Sequence, residues 1–287
     1  MKFGILFANA GPFGTPEGLV ELGRAAEEAG VESVWTVEHV VVPAAYESRY
    51  PYSRDGRLPG GAASAFPDPL IPLAFLAAET RTLRLGTGIL ILPQRHPTYV
   101  AKEVATLDVF SHGRVELGVG IGWLEEEFRV VGVPFAERAA RTEESILALR
   151  SLWADGTSRF DGQFFRWPEV HSEPKPVQRP GVPVHVGGHS HAAARRAARC
   201  GDGFFPAKGG IGTLTRLLGA MREECDRIGR DPGEIEITAS APRPDLDTVL
   251  ALRDLGVQRV AIAPPGFDRD GLRRGLESLA DSVMTRL

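Results

Sequence analysis

The sequence predicts an α/β protein with the (β/α)8 architecture of a TIM barrel. Eight short apolar runs alternate with eight longer amphipathic segments along the 287 residues. Strict alternation of this kind is typical of a parallel sheet whose strands are joined by helices. Eight repeats in a chain of this length favour a closed barrel, which uses about 250 residues. A doubly wound open sheet is the alternative.

The predicted strands are rich in Val, Ile and Phe, and most end at Gly, Pro or a polar residue, as strands do. In chain order they are Lys2–Ala8, Ser33–Val37, Arg84–Leu90, Val115–Val119, Pro183–Val186, Gly203–Phe205, Ile235–Ala239 and Val260–Ala263.

The predicted helices carry their apolar residues on one face. In the first helix Leu19, Leu22 and Ala26 recur at helical spacing, and Gly30 ends the pattern. The helices are Pro16–Ala29, Asp68–Glu79, Thr98–Phe110, Glu137–Ala154, Ser190–Cys200, Thr213–Ile228, Leu246–Leu255 and Gly271–Val283.

Two insertions interrupt this pattern within a single predicted domain, residues 1–287. The connection Val40–Pro67 follows strand two and holds three of the four tyrosines, so we expect a lid or a subunit contact. The segment Asp155–Gly181 lies between helix four and strand five. Its Asp161-Gly162 pair predicts a small hairpin, and the prolines that follow keep the rest extended.

Composition excludes several classes of function. The formal charge is −4, from 33 basic and 37 acidic residues, so no basic surface for nucleic acid is expected. Two cysteines are too few for a disulfide framework and suit a reducing compartment. With neither a signal peptide nor a membrane-spanning run, we expect a cytoplasmic protein without a membrane partner.

In a TIM barrel the active site lies at the carboxyl ends of the strands. Four of these ends are crowded with small residues, including Gly120 and Gly122, where backbone could approach a flat or anionic ligand. Gly187-Gly188-His189-Ser190 opens a helix and predicts a phosphate site, or else a tight turn with Ser190 as N-cap. Gly118–Gly122 is a weak match to a dinucleotide fingerprint.

Histidines raise two further hypotheses. His185, His189 and His191 suggest a metal site, but carboxylate partners are not evident, and core or surface histidines are the favoured interpretation. His39 follows strand two directly at the predicted catalytic rim and suits proton transfer, although a structural histidine is the alternative. A serine nucleophile lacks support, because no G-x-S-x-G motif occurs.

Six segments form an ordered set of motifs along the chain: Val34–Pro43, Leu85–Pro97, Gly113–Trp123, Glu173–Gln178, Gly187–Ser190 and Gly201–Phe204. This set resembles the luciferase-like monooxygenase superfamily, in particular its branch that uses the deazaflavin coenzyme F420. The resemblance covers nearly the whole chain, and the ordered set is more specific than any single motif.

The resemblance implies a deazaflavin or flavin in the barrel mouth. A bulge in strand three, often with a non-proline cis peptide, backs the ring at positions matching Gly88 and Ile89. The glycine turn matching Gly187, Gly188, His189 and Ser190 holds the coenzyme phosphate.

The same resemblance places His39 at the hydride-transfer centre. Glu38 is left as its structural or orienting partner. Trp123 replaces a glutamate found in some relatives, which puts their sugar-phosphate chemistry in doubt. Family members are often dimers, so we expect a homodimer.

The leading functional hypothesis is therefore an oxidoreductase that moves a hydride between F420 and an unidentified organic substrate. An FMN-dependent monooxygenase on the same scaffold is the second hypothesis. A coenzyme-binding barrel without turnover is the third, and a metal hydrolase is a distant fourth. Trp123 and Tyr50 suggest an apolar or planar substrate, and Lys208 is a candidate for an anionic group.

Overall fold

The computed structural model describes residues 1–206, 208 and 210–287. Its strands are β1 (Lys2–Leu6), β2 (Ser33–Thr36), β3 (Arg84–Thr87), β4 (Leu90–Ile91), β5 (Val115–Gly120), β6 (Ser158–Asp161), β7 (Arg166–Val170), β8 (Val184–Gly187), β9 (Gly203–Phe205), β10 (Glu236–Ser240) and β11 (Arg259–Ile262). The helices in the described ranges are α1 (Pro16–Glu28), α2 (Leu70–Glu79), α3 (Pro97–Phe110), α4 (Glu125–Val130), α5 (Arg138–Trp153), α6 (His191–Cys200), α7 (Ile211–Ile228), α8 (Leu246–Asp254) and α9 (Arg269–Ser282).

The parallel strands close into an eight-stranded barrel. The hydrogen-bonded order is β3-β2-β1-β11-β10-β9-β8-β5-β4, and the additional pairing of β3 with β5 completes the ring. β3 and β4 are two pieces of one predicted strand. The expected barrel is thereby confirmed, and the open doubly wound sheet is wrong because an open sheet has no closing pair.

Both insertions are present where the sequence places them. Residues 40–66, between β2 and α2, contain no helix or strand among the described residues. β6 and β7 form the expected antiparallel hairpin, which packs beside α5. The hairpin is a separate two-stranded sheet and shares no strand with the barrel.

A network of charges fills the amino-terminal end of the barrel. The fully buried Arg259 guanidinium pairs with Glu32, Glu116 and Glu236. His185, on β8, hydrogen bonds to the same Glu116 carboxylate. His185 therefore belongs to the barrel floor, away from the carboxyl ends where a ligand would bind.

No helix in the described part of the chain is both long and apolar enough to cross a membrane.

Candidate functional site

The third barrel strand is interrupted at the mouth. The peptide bond between Gly88 and Ile89 is cis, and the strand resumes only at Leu90. This confirms the predicted bulge. A Cβ at Gly88 would lie 2.7 Å from Leu6 Cδ1, so only glycine fits there without displacing a neighbour.

The Ile89 side chain lies over the carboxyl ends of the neighbouring β5 and of β8. A Cβ at Gly120 would lie 2.5 Å from Ile89 Cδ1, and one at Gly187 would lie 2.7 Å from Ile89 Cγ2. Glycine on β5 and on β8 therefore leaves the space that Ile89 occupies. Together the three residues form an apolar surface on one side of the mouth, at the carboxyl ends of β5 and β8.

Two further glycines, one in β5 and one just after it, have structural reasons of their own. A Cβ at Gly118 would lie 1.9 Å from the Thr87 carbonyl oxygen, so this glycine permits the close approach of β3 and β5. Gly122 has a φ of +75° and packs against Phe128. The dinucleotide interpretation of Gly118–Gly122 is therefore unnecessary, because close packing explains both positions.

Strand β2 delivers Glu38 and His39 to the same rim. The buried Asn9 side chain holds this exit: its amide donates to the Val37 and Pro67 carbonyls, and its oxygen accepts from the Val37 amide. Asn9 thus fixes both the end of β2 and the returning end of the 40–66 insertion. The two adjacent side chains leave the strand in different directions.

Glu38 is a structural residue in this arrangement. Its carboxylate accepts hydrogen bonds from the Ile91 amide and from the Arg95 guanidinium. Burial raises the pKa of Glu38 above its ordinary value, and the Arg95 charge opposes that effect. The expectation that Glu38 orients His39 is wrong in this respect, because its oxygens are engaged with β4 and Arg95.

His39 is held from two sides by residues that follow β5. Its Nδ1 lies 3.0 Å from Glu127 Oε2, and the Trp123 indole Nε1–H donates to Nε2 over 3.3 Å. The His39 side chain is only 7% exposed. The imidazole therefore has both nitrogens engaged and a buried carboxylate as its neighbour.

Glu127 is the functional residue that sequence reasoning missed. It lies on the short helix α4, 88 residues from His39, and is fully buried. The signal available was the run Glu125-Glu126-Glu127 directly after Gly122-Trp123. The carboxylate that is lacking at position 123 thus enters the site one helical turn later.

A row of aromatic rings spans the mouth from β2 to β8. Trp123 packs edge-on against His39 and Tyr50, with centroid distances of 5.6 and 5.2 Å. Tyr50 in turn contacts Tyr52, which lies 5.1 Å from His189. Burial raises the pKa of Tyr50 to about 12, with a smaller contribution from Tyr52.

Lys208 attaches the insertion to the far side of the barrel. Its exposed ammonium donates to the Pro51 carbonyl over 2.7 Å. We call residues 40–66 the lid, because Tyr50 contacts Trp123 after β5, Tyr52 contacts His189 after β8, and the Pro51 carbonyl accepts from Lys208 after β9. This placement fits a lid, and the alternative expectation of a subunit contact stays a prediction.

The amino terminus of α6 has the geometry of an anion site. Gly188 precedes it with a φ of +128°, and Ser190 caps the helix by accepting from the Ala193 amide. The buried Nδ1 of His189 has no hydrogen-bond partner among the described residues. Burial lowers the pKa of His189, and the charge of Lys208 lowers it further.

The histidines considered for a metal do not converge. His185 is in the barrel floor, His189 is in the turn, and His191 is the first residue of α6. Among the described residues, no group of three or more His, Cys, Asp or Glu side chains is arranged to hold a metal ion.

Comparison with known proteins identifies a family. The sequence profile of the luciferase-like monooxygenases matches residues 1–243. An uncharacterized protein of Mycobacterium tuberculosis is 34% identical over 277 residues, which cover 93% of this chain and 95% of that protein.

Two relatives have described activities. The F420-dependent glucose-6-phosphate dehydrogenase of Amycolatopsis mediterranei is 32% identical over 80% of this chain and 66% of its own length. The oxygenase component of the flavin-dependent trigonelline monooxygenase of Acinetobacter baylyi is 28% identical over 73% of this chain and 54% of its own length.

Solved structures agree with the fold. The monooxygenase RslO1 from Streptomyces bottropensis superimposes with a TM-score of 0.78 at 25% identity, over 100% of this chain and 99% of that one. The F420-dependent tetrahydromethanopterin reductase of Methanopyrus kandleri superimposes with a TM-score of 0.77 at 17% identity, over 99% of both chains. The second likeness concerns the fold alone.

Proposed function

The chain belongs to the luciferase-like monooxygenase family, and from that premise we propose that it is an oxidoreductase that transfers a hydride between coenzyme F420 and an organic substrate. The observation that carries the proposal is the His39 imidazole, held between Glu127 and Trp123 at the barrel mouth. The F420-dependent relative from Amycolatopsis supports the choice of coenzyme.

The residues present fit a deazaflavin coenzyme. Ile89, with Gly120 and Gly187, offers an apolar surface on which a flat ring can lie. The turn formed by Gly188, His189 and Ser190 offers helix-terminal amides and an unpartnered buried imidazole nitrogen to a phosphate. In this proposal Gly88 maintains the bulge and Gly122 the turn beyond β5.

When bound, the deazaflavin accepts or gives a hydride at its ring carbon C5. The side chains of this chain perform the remaining tasks. His39 exchanges the accompanying proton at Nε2. This nitrogen is on the mouth side of the ring, where it accepts a hydrogen bond from Trp123. The lid tyrosines exclude water from the mouth while this occurs.

We propose a planar or apolar substrate. Trp123 and Tyr50 form an aromatic wall next to His39, and such a wall favours flat molecules without net charge. Lys208 donates to the lid carbonyl of Pro51. We therefore propose that it holds the lid closed rather than binding an anionic group of the substrate.

An FMN-dependent monooxygenase is the second candidate function. It is favoured by the flavin-dependent relative from Acinetobacter and by the similarity to RslO1. The hypothesis of a coenzyme-binding barrel without turnover loses its main support, since it rested on the missing carboxylate at Trp123 and Glu127 now supplies one.

An anaerobic assay separates these functions. Purified protein is mixed with reduced F420 and a panel of aromatic ketones, aldehydes and enones, and coenzyme oxidation is followed by absorbance. Oxidation that depends on one substrate and needs no oxygen supports the proposal. Turnover that requires FMN and oxygen assigns the monooxygenase, and coenzyme binding without any turnover assigns the non-catalytic barrel.

We further propose a homodimer in the cytoplasm. The location is supported by two cysteines, Cys200 and Cys225, which are buried and unpaired. Light scattering coupled to size-exclusion chromatography tests the oligomeric state, and a mass near the 31.0 kDa of one chain would exclude the dimer.

A further inference from the structure

A single buried carboxylate contacts both the His39 ring and the start of the lid. From this arrangement, and resting on the proposed function, we infer that Glu127 is a positioning residue: it fixes which nitrogen of His39 carries the proton and couples that choice to closure of the lid.

The two oxygens of Glu127 have separate partners. Oε2 lies 3.0 Å from His39 Nδ1. Oε1 accepts from the backbone amides of Val40 and Val41, at 2.7 and 3.2 Å. The side chain of Glu127 is 1% exposed, so these contacts replace water almost completely. Lid residues 40 and 41 cannot move away without leaving one oxygen of a buried carboxylate unsatisfied.

The partners of His39 determine its tautomer. An indole N–H is a donor only, so His39 Nε2 accepts from Trp123 and carries no proton. Nδ1 must then carry the proton of the neutral ring and donate it to Glu127, which as a carboxylate only accepts. The structure thus assigns the Nδ1–H tautomer, with Nε2 as the basic nitrogen.

This tautomer has a direct chemical consequence. With substrate in place of the Trp123 N–H, Nε2 would take the proton of a substrate hydroxyl, and a bound oxidised deazaflavin would supply the acceptor for the hydride from the carbon that bears this hydroxyl. The substrate would leave as a carbonyl compound, the coenzyme would be reduced, and the His39 imidazolium would donate to the Glu127 carboxylate. In the reverse direction the proton returns from Nε2. With the opposite tautomer, Nε2 could not accept this proton.

The neighbouring Glu126 provides a matched comparison. Its Oε1 accepts from the amides of Glu47 and Ser48, at 2.8 and 3.2 Å, so it also fastens the lid to α4. The hydrogen bonds of Glu126 do not include His39 in the described part of the chain. Substitution at 126 therefore tests lid attachment alone, and substitution at 127 tests attachment together with the tautomer.

The substitution Glu127→Gln reverses one contact while it keeps the shape. The single amide oxygen is best used by the two backbone donors of Val40 and Val41, which places the –NH2 group against His39 Nδ1. Because that group donates, Nδ1 must accept, and the ring proton moves to Nε2 at the expense of the hydrogen bond from Trp123, whose indole N–H is also a donor. In Glu126→Gln the tautomer stays as in the wild type.

The experiment is ¹⁵N NMR of the full chain labelled at histidine, with the His39 signals identified by their loss in His39→Gln. We expect a protonated Nδ1 and an unprotonated Nε2 in the wild type and in Glu126→Gln, and the exchanged pattern in Glu127→Gln. An Nε2–H tautomer in the wild type, or an unchanged pattern in folded Glu127→Gln, would overturn the inference.

Kinetics separate this inference from the proposed function. For a substrate found in the anaerobic assay, Glu127→Gln should lower kcat at least tenfold and leave the coenzyme Kd within about twofold. Wild-type kcat in this variant contradicts the positioning role. If the wild-type protein shows the expected NMR pattern but does not turn over F420, the role of Glu127 stands and the proposed function is refuted instead. If Glu127→Gln does not fold, the wild-type tautomer alone decides.

Discussion

The side chain of Ile89 occupies the space that Gly187 leaves open two strands away, beyond β5. A Cβ built on Gly187 would lie 2.7 Å from Ile89 Cγ2 and 3.2 Å from the Val119 carbonyl oxygen. Ile89 and the glycine at the end of β8 are therefore two parts of one arrangement. The surface proposed for the coenzyme ring depends on both.

We expect Gly187→Ala to displace Ile89. The added methyl group meets a packed side chain and a backbone carbonyl, so the free energy of unfolding should fall by about 1–3 kcal/mol. Coenzyme affinity should fall as well, because the ring surface is disturbed. Denaturant unfolding and a fluorescence titration with F420 measure the two effects.

Gly219→Ala is the matched control for this change. A Cβ at Gly219, inside α7, meets no atom within 4 Å, and alanine in a helix interior is favoured over glycine by roughly 0.5–1 kcal/mol. This variant should be as stable as the wild type or more so, with unchanged coenzyme affinity. If the two alanine variants have the same stability and the same coenzyme affinity, the contact between Ile89 and position 187 contributes to neither property.

His39→Ala should retain the fold and most of the coenzyme affinity while kcat falls by about 10²–10⁴-fold, the usual contribution of a positioned acid or base. The reason is that no other side chain hydrogen bonds to both Glu127 and Trp123 in the described structure. Steady-state kinetics and a coenzyme titration check the two halves of this expectation.

The comparison variant is Glu38→Gln. It weakens a buried ion pair with Arg95 and should affect stability more than rate. If His39→Ala turned over at the wild-type rate, His39 would be only a packing residue. Water or the coenzyme would then have to exchange the proton that accompanies hydride transfer.

The fold could be predicted from the sequence because each barrel unit carries its own local signal. The runs of β-branched residues and the one-sided helices lie within two or three residues of the strands and helices in the structure. The break at Gly88–Ile89 is not visible in such periodicity. It was expected only from the resemblance to a family, because a cis peptide leaves no hydrophobic pattern.

The candidate site was predicted only in part. His39 follows β2 directly, so its place at the rim could be inferred from order along the chain. Glu127 could not, because α4 has six residues and is too short for a periodic pattern. Glu38 was expected as a structural or an orienting partner of His39, and its contacts fit the structural role only; adjacency in sequence did not disclose that Arg95 lies within reach of its carboxylate.

Acid should destabilise the protein partly through Glu27. Its carboxylate accepts from the Arg81 and Leu83 amides and from Thr82, at the start of β3. Burial raises the pKa of Glu27, but these hydrogen bonds outweigh burial and lower it from 4.5 to about 2. Because the folded pKa lies below the unfolded one, this stabilisation is present above pH 4.5 and is lost as the pH falls toward 2.

Glu27→Gln should therefore be less stable than the wild type at pH 7, and the difference should shrink by pH 3. Urea unfolding at the two pH values measures it. A stability difference that is equal at both would show that ionisation of Glu27 contributes nothing.

Gly188→Val should weaken coenzyme binding at least tenfold. The residue has a φ of +128°, which valine rarely adopts, and a Cβ there would lie 2.8 Å from that of Ala193. Both effects move the turn before α6, where we place the coenzyme phosphate. Isothermal titration with F420 measures the loss.

Ser190→Ala controls for damage to the helix itself. It removes the N-cap, at a cost of about 1 kcal/mol, but leaves the backbone amides of the turn in place. Its coenzyme affinity should stay within a few-fold of the wild type. If Gly188→Val bound F420 with unchanged affinity, the proposal that this turn binds the coenzyme phosphate would be wrong.

The central claim is that this chain is a deazaflavin enzyme, and the most direct test is a parallel equilibrium titration of the purified protein with F420 and with FMN. We predict saturable binding of one F420 per chain, with a Kd at least tenfold below that for FMN, and loss of this binding in Gly188→Val. Binding of FMN with no measurable binding of F420 would contradict the account.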